Sequence, residues 1–506
     1  LMINSNPETV STDFDTSDRL YFEPLDEESL RDVLENEGVE QTPVITQFGG
    51  QTAINLAEPL AHAGARLIGS DVETIDLAED RRRFEDFLTR LGIRQPPGGA
   101  VTRLEDALTV ADNIGYPVLV RPSYVLGGRA MEIVYSPQEL AGYMSQAAEV
   151  SPKRPILVDK YLIGREVEVD AIGDGVDVLI PGVMEHIERA GVHSGDSIAV
   201  YPAQNLSAGE LATLVDFTIQ IGRGLNVRGL MNVQYVIHRG EVYVLEVNPR
   251  ASRTVPFLSK VTGVPMVRLA TWVALGRSLA SQGYQTGLWP SSNLVAMKAP
   301  VFSMAKLIGV DTYLGPEMKS TGEVMGIDRT YRRALIKTLV AARAMLPTSG
   351  NLLLSVADRD KLEAGPLVEE LSREGYGFYA TAGTAQYIRS LGLEVVGVAL
   401  KLQEGHPNVV DVIEAGLVQG VVNTMTGVRT AFQDGYADGF QIRRSATERG
   451  LPCFTSLDTL RAAVESLDQR RRGYSVEPLV EYLLPEQPPQ VAVAPVTGSS
   501  DDERLG

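Results

Sequence analysis

Two alternating runs carry the densest set of groups able to hold a metal and a phosphoryl group: Gly229 to Tyr235 (GLMNVQY) and Glu241 to Arg250 (EVYVLEVNPR). Both alternate like strands. A three-residue loop, His238-Arg239-Gly240, with Gly240 in the left-handed region, would set Gln234 opposite Val244 and on one face with Glu246 and Asn248. A carboxylate and two amide oxygens are hard ligands of the kind Mg²⁺ takes in small number, completing its octahedron with water and nucleotide phosphates. A solvated sheet face is the competing reading of the same alternation. Arg250 and Arg253 lie just beyond the carboxylate, where guanidinium forks can hold a phosphoryl group or an acyl phosphate.

Upstream, Arg121 to Arg129 (RPSYVLGGR) sets two glycines between apolar segments. Backbone N–H groups in such a loop can approach phosphates closely, and Arg121 and Arg129 add charge. A flexible hairpin is the bland alternative. The chain contains neither G-x-x-x-x-G-K-[ST] nor G-x-G-x-x-G, so any nucleotide fold is of another kind. His193, in Gly191 to Ser197 (GVHSGDS), is open to a structural, a nucleotide-contacting or a base role. A further group comprises Ser355, Lys361, Thr381, Thr384, Lys401, Asn423 and Thr424. Hydroxyls, backbone amides and a lysine at the carboxyl ends of parallel strands make a crevice suited to phosphate, with ordinary strand-end capping as the alternative.

The elements that must position these groups follow from the pattern. Residues 1–77 alternate short strands and helices: Leu1 to Ile3 reads as the end of a strand, Leu25 to Glu37 and Ala53 to Ala63 as helices, Val44 to Thr46 and Ala65 to Ile68 as strands. That is the pattern of a small parallel α/β sheet, with a glycine turn at Gln47 to Thr52 where ligands often bind. Residues 78–346 open on a charged helix at Glu79 to Glu85 and continue as an α+β unit of mixed sheets. Residues 347–475 repeat strand, helix, strand, the pattern of a parallel sheet wrapped by helices. Residues 476–506 end in a proline-bearing polar stretch without apolar period, expected to be a mostly disordered tail.

Composition bounds the functions. Net charge is −19 and the pI near 4.9, against broad nucleic-acid or anionic-membrane binding. With 44% hydrophobic residues and no long apolar run, the chain reads as soluble, and its length fits roughly three or four domains. One cysteine excludes an intrachain disulfide framework and a cysteine-rich metal site, and there is no secretory signal pattern, so a cytoplasmic setting is expected. Cys453, in the apolar run Leu451 to Phe454, reads as a packing residue, which leaves no glutaminase nucleophile.

The motifs taken together resemble an ATP-grasp module, over Arg121 to Met131, Met184 to Ser197, Arg228 to Gln234 and Glu246 to Thr254. More closely, Asn6 to Asp13 (NPETVSTD), Arg121 to Glu132 and Gly191 to Ser197 resemble the carbamoyl-phosphate synthetase large chain, over residues 2 to about 470. The third region resembles its methylglyoxal-synthase-like domain. The resemblance implies three units: a partial pre-ATP-grasp (biotin-carboxylase-N-like) domain at 1–77, an ATP-grasp carbamate-phosphorylating domain with its extension at 78–346, and a parallel α/β allosteric domain at 347–475. It implies ATP contacts at Arg121, Lys160, Leu162, Glu166, Gly191, Val192, His193, Ser194, Gln234 and Glu246, and metal ligands Gln234, Glu246 and Asn248 for Mg²⁺ or Mn²⁺, with K⁺ as a further cation. Arg250, Arg121 and Asn248 are the implied catalytic groups.

The same resemblance implies the second synthetase half, transferring the γ-phosphoryl of MgATP directly to carbamate, within a glutamine-dependent enzyme that supplies arginine and pyrimidine biosynthesis. Its implied partners are a glutaminase small subunit, the N-terminal synthetase half that this sequence lacks, and a nucleotide monophosphate effector such as UMP at Ser355, Lys361, Thr381, Thr384, Lys401, Asn423 and Thr424. The alternative expectation is a regulatory or incomplete ATP-grasp fragment that binds nucleotides without catalysis of its own; a third is another carboxylate–amine ligase.

Overall fold

The computed structural model describes residues 1–38, 42–122, 131–150, 155–303, 310–424 and 438–483. The Gly127-Gly128 loop with Arg129 and the proline-bearing tail from Pro485 lie outside them.

In the first region the parallel pairs Met2–Ile3 with Leu20–Tyr21, and Pro43–Val44 with Arg66–Leu67, form two separate small sheets. The helix expected from Leu25 starts at Glu27, because the Asp26 side chain accepts the Ser29 N–H at 2.9 Å and caps it. The helix expected over Ala53 to Ala63 is two, Gly50–Ile54 and Ala57–His62, since Pro59 has no N–H to give the preceding turn. Leu30, Leu34, Leu56, Leu60 and Ala65 form the core here, with Ile3, Val44 and Leu67 against it.

The helix Arg81–Leu91, capped by Asp80, leads into an antiparallel four-stranded sheet in the order Gly98–Val101, Ile156–Lys160, Val118–Pro122, Glu132–Val134. Its buried face packs on the helices Leu104–Ile114 and Pro137–Val150.

The largest sheet runs Glu241–Asn248, Arg228–His238, Arg165–Asp174, Val178–Arg189, Ala199–Tyr201, Val295–Val301, Gly322–Asp328, antiparallel throughout, with Gly287–Leu288 added parallel to Val178–Arg189. On its rear face Val167, Val169, Val183, Val233 and Tyr235 pack with Leu214 and Ile221 of the helix Ala208–Gly224 and with Phe84 and Phe87. Part of its front face, at Ile172, Met184 and Leu230, is covered by the helices Thr254–Thr262 and Met266–Ala274. The rest of that face, polar apart from a small apolar cluster around Val236, holds the site.

The third region is a five-stranded all-parallel sheet in the order Gly397–Ala399, Gly377–Thr381, Asn351–Ser355, Gly420–Asn423, Cys453–Phe454. One hydrophobic core joins it to the large sheet: Val200, Met297 and Ala299 pack with Leu335, Leu339, Leu352, Phe378, Val422 and Leu460. Cys453 is packed among Val421, Ile442 and Ala446, and burial pushes its thiol up to about 12, far from a thiolate at neutral pH. Among the described residues no helix is long and apolar enough to cross a membrane.

Candidate nucleotide and metal site

The hairpin sets Gln234, Glu246 and Asn248 on one face as expected, but by a different turn and register. His238 pairs with Glu241, so the loop is Arg239-Gly240 alone, with φ of 53° and 81°. Two consecutive left-handed residues are those of the two-residue turn that suits strand twist. That register would put Gln234 opposite Leu245. A bulge between Gln234 and Tyr235 takes up Leu245 as an extra residue, so Gln234 lies opposite Glu246, and Asn232 opposite Asn248. Without the bulge Gln234 and Glu246 would point to opposite faces; with it, Gln234, Glu246 and Asn248 share the front one.

Hydrogen bonds tie Glu246, Asn248 and Arg250 to one another and Gln234 to the Gly191 to Ser197 loop. Asn248 Nδ2 donates to Glu246 Oε1 at 2.9 Å, Arg250 Nη2 to Asn248 Oδ1 at 3.2 Å, and Gln234 Nε2 to Ser194 Oγ at 3.2 Å. Glu246 is exposed and Gln234 and Asn248 partly so, as ligands open to a nucleotide-borne cation must be. Three hard oxygen donors on one open face fit Mg²⁺; on binding it, the Asn248 oxygen would share its second lone pair with the Arg250 contact. Arg250 Nε also donates to Gln51 Oε1 at 3.0 Å, and the Ala251 N–H to Gln47 O at 2.9 Å, so the glycine turn of the first region braces the arginine.

Gly191 to Ser197 borders the cluster. Gly191 has φ 109°, and a Cβ there would come within 2.9 Å of both Ile133 Cδ1 and Tyr161 Oη, so the loop needs glycine at this point. The Gly195 N–H donates to His193 Nδ1 at 3.0 Å, which leaves the proton of a neutral ring on Nε2. Burial holds the His193 pKa below the ordinary value, so the ring is neutral and its free nitrogen is a donor. That arrangement suits contact with a phosphate or ribose oxygen and not proton abstraction.

Of the other implied ATP contacts, Leu162 packs in a small apolar cluster with Ala190, Val236, Tyr243 and Leu245 on the front face. Glu166 is buried beside it, across from Val236. Lys160 and Arg121 are not brought together. In the register Val118 opposite Lys160 and Arg121 opposite Leu157, they lie on opposite faces of the four-stranded sheet. Lys160 Nζ is taken by the carbonyls of Gly115 and Tyr116 at 2.8 and 2.9 Å. Arg121 lies on the face of Asp159, which Arg81 already bridges at 2.7 Å, and its buried Nε has no hydrogen-bond partner among the described residues.

Beneath the open cluster lies a buried charged layer that sequence reasoning missed, apart from Glu166. Glu168 accepts from Asn232 Nδ2 at 2.8 Å and Thr254 Oγ1 at 3.1 Å, and Lys298 Nζ donates to that Thr254 oxygen at 3.1 Å. His186 stands 3.5 Å from both Glu166 and Glu168. Burial raises Glu166 to about 7, and against the same cost Lys298, His186 and Asn232 hold Glu168 well below the carboxylate range. The two carboxylates raise His186 despite its burial. The available signal was an acid at every second position, Glu166, Glu168 and Asp170, which a solvent-facing strand shows equally well.

Asp170 is 1% exposed, its carboxyl set beside Glu168, Ser252 and Asn232. Burial first, and Glu168 second, push its carboxyl far above the ordinary range, so the folded protein keeps a proton that the unfolded chain releases. The folded state therefore binds more protons above the unfolded pKa, and this residue's contribution to stability falls as pH rises from the carboxylate range toward the raised value. Asp170→Asn removes that loss: its melting temperature should exceed the parent's by a margin that widens from pH 5 to pH 8, and a margin constant with pH would show that Asp170 does not stay protonated.

The implied effector residues converge at the carboxyl ends of parallel strands. Ser355, Thr381 and Asn423 end adjacent strands, the Val356 N–H donates to Thr384 Oγ1 at 3.1 Å and the Ala357 N–H to Thr424 Oγ1 at 2.8 Å. Lys361 Nζ reaches Gly383 O at 3.0 Å, and Lys401 follows the neighbouring strand.

Residues 1–77 match the carbamoyl phosphate synthase preATP-grasp domain, 80–282 the carbamoyl-phosphate synthase L chain ATP binding domain, and 363–455 the MGS-like domain. The carbamoyl phosphate synthase large chain of Thermomicrobium roseum is 58% identical over 486 residues, covering 95% of this chain and 45% of that one, so the chain spans less than half the length of this relative. Among solved structures, biotin carboxylase from Campylobacter jejuni, in complex with β-γ-ATP, aligns at TM-score 0.51 and 20% identity over 63% of this chain and 77% of that one. The biotin carboxylase domain of Hydrogenobacter thermophilus 2-oxoglutarate carboxylase, solved with MgADP, ADP and bicarbonate, aligns at 0.52 and 19% over 64% and 80%. At such identities these two establish a shared fold. With the ATP-grasp sheet, the parallel third sheet and the matched domains in agreement, the chain belongs to the carbamoyl phosphate synthase large-chain family.

Proposed function

We propose that this chain transfers the γ-phosphoryl of MgATP to carbamate, giving carbamoyl phosphate and ADP, as the second-half synthetase portion of a glutamine-dependent enzyme feeding arginine and pyrimidine synthesis. The observation that carries this is the Gln234–Glu246–Asn248 face with Arg250 bonded to Asn248. A chain that only bound nucleotide for regulation would have no use for a metal trio with a phosphoryl-sized guanidinium beside it. The β-γ-ATP and MgADP bound in the two biotin carboxylase structures are nucleotides of the kind this reading requires.

Phosphoryl transfer of this kind needs positioning and charge neutralisation more than a nucleophile. Gln234, Glu246 and Asn248 would hold Mg²⁺, or Mn²⁺ in its place, which would neutralise charge on the phosphates; K⁺ would serve as an additional cation. Arg250, braced by Gln51, faces the transferring group, and Arg121 supplies further positive charge from the adjoining sheet. His193 donates from Nε2, while Ser194, Gly191 and Val192 line the nucleotide's path. Leu162 with Ala190 and Val236 offers an apolar wall to the base, Glu166 stands beside it, and Lys160 would reach the nucleotide only by leaving the Gly115 and Tyr116 carbonyls.

Ammonia would come from a separate glutaminase subunit and carbamate from a partner synthetase half. The crevice of Ser355, Lys361, Thr381, Thr384, Lys401, Asn423 and Thr424 would take the phosphate of a nucleotide monophosphate such as UMP. The domains implied are 1–77, 78–346 and 347–475, and the setting cytoplasmic. The reading is tested by the reverse reaction, ATP formed from carbamoyl phosphate and MgADP, and its loss in Glu246→Gln.

A further inference from the structure

The segment from Val310 to Thr321 connects strands of the large sheet, yet its bonds run to two different places. At its start, Asp311 Oδ1 accepts from Arg443 Nε at 2.7 Å and Oδ2 from Nη2 at 2.6 Å, a bidentate pair. Arg443 sits on the helix Asp438–Glu448 of the third region, is 3% exposed, and gives its remaining nitrogen, Nη1, to Asn423 Oδ1. Despite burial, these bonds hold the Asp311 carboxyl below its ordinary range. The Leu314 N–H donates to Thr455 Oγ1 at 3.2 Å, a second tie to the same region.

Further along, the segment holds the nucleotide loop. Gly315 O accepts the His193 N–H at 2.8 Å, the Lys319 and Ser320 N–H groups donate to Asp196 at 2.8 and 2.9 Å, and Ser320 Oγ donates to Gly195 O at 2.9 Å. Arg253 Nη1 donates to Ser320 Oγ at 2.9 Å. One short stretch therefore carries the shape of Gly191 to Ser197 at one end and is fixed to the third region at the other.

We propose that Arg443 is the residue through which occupancy of the third-region crevice alters nucleotide binding: it takes its position from Asn423 and passes it, through Asp311, to the segment that holds His193. The inference rests on the regulatory reading of that crevice. Asn423 Nδ2 donates to Ser355 O at 3.3 Å, so the one amide joins the crevice floor to Arg443. An anion that draws Nδ2 or the neighbouring Thr424 turns this amide and changes the acceptor that Arg443 sees. The guanidinium's planar fork transmits the turn because three of its nitrogens are committed at once; an ammonium would hold a single oxygen and leave Asp311 free to swivel.

The measurement is the ratio of MgADP dissociation constants without and with saturating UMP, repeated with inorganic phosphate, on the full chain. The parent should show a ratio on the order of 5 to 150-fold with at least one probe, and MgADP should shift that probe's affinity by the same factor. In Arg443→Lys and in Asp311→Asn the ratio should fall to within about twofold of unity, the double variant losing no more, while MgADP affinity without probe stays within about threefold of the parent. A merely structural role would move melting temperature or basal affinity and leave the ratio alone. Should Arg443→Lys fail to fold, the near-isosteric Asp311→Asn decides. Single variants that keep the parent ratio overturn the coupling role and leave the regulatory reading standing. A parent whose MgADP affinity neither probe changes overturns the regulatory reading and the coupling together.

Discussion

Arg250→Ala should lower phosphoryl transfer about 10²–10³-fold while changing MgADP affinity only about threefold. Arg250 makes its bonds to Asn248, Gln51 and the Ala251 carbonyl, so it is held in place before substrate arrives. A preorganised cation of this kind acts where charge develops on the transferring group, and the ground-state nucleotide gains less from it. Single-turnover rates with carbamoyl phosphate and MgADP, alongside a binding titration, separate the two quantities. An equal loss in rate and affinity would make Arg250 a nucleotide-binding residue with no preference for the transition state. Arg250→Lys should recover only part of the rate, because an ammonium cannot bond Gln51 and Asn248 in the same fork.

The largest stability effect is expected at Lys298, which is 2% exposed, 3.1 Å from Thr254 Oγ1 and 3.9 Å from Glu323. With His186, and Arg253 near Glu323, it is set among Glu166, Glu168, Asp170 and Glu323 beneath the site. Lys298→Met keeps the apolar stem and deletes the charge, breaking a buried charge network and leaving Glu168 to His186, Asn232 and Thr254, at a cost of about 3–5 kcal/mol. For a unit of this size that is a fall of about 10 °C in melting temperature. Since Glu168 is held low chiefly by Lys298, the deficit should shrink toward acid pH, where protonation removes the stranded charge. An unchanged melting temperature at neutral pH would mean that the carboxylates are already neutral in the folded protein.

The legibility of this fold in its sequence depended on what each element needed. The third region was plain, since its strands carry continuous apolar runs that only a parallel sheet buried on both faces requires. The hairpin bearing Gln234 and Glu246 was found by alternation, but its register was misread. Alternation reports the face of each residue relative to its neighbours and says nothing of one extra residue; the bulge at Leu245 is visible only once Tyr235 and Val244 are seen packed together on the rear face. Lys160 shows the converse: the family resemblance implies a nucleotide contact there, while its ammonium turns away to the Gly115 and Tyr116 carbonyls. Asp311 and Arg443 are 132 positions apart, and no local pattern joins such residues.

The most direct test of carbamate phosphorylation is ATP formation from carbamoyl phosphate and MgADP, comparing the parent chain with Glu246→Gln. The parent should form ATP in a Mg²⁺-dependent manner, and Glu246→Gln, which keeps the shape and its hydrogen bond to Asn248 but removes the only formal charge in the metal trio, should lose at least about 10²-fold of that rate. ATP formation that persists at the parent rate in Glu246→Gln would contradict the metal role of this face. No ATP from a folded parent that binds MgADP would contradict autonomous phosphoryl transfer and leave a nucleotide-binding chain that requires its partner half.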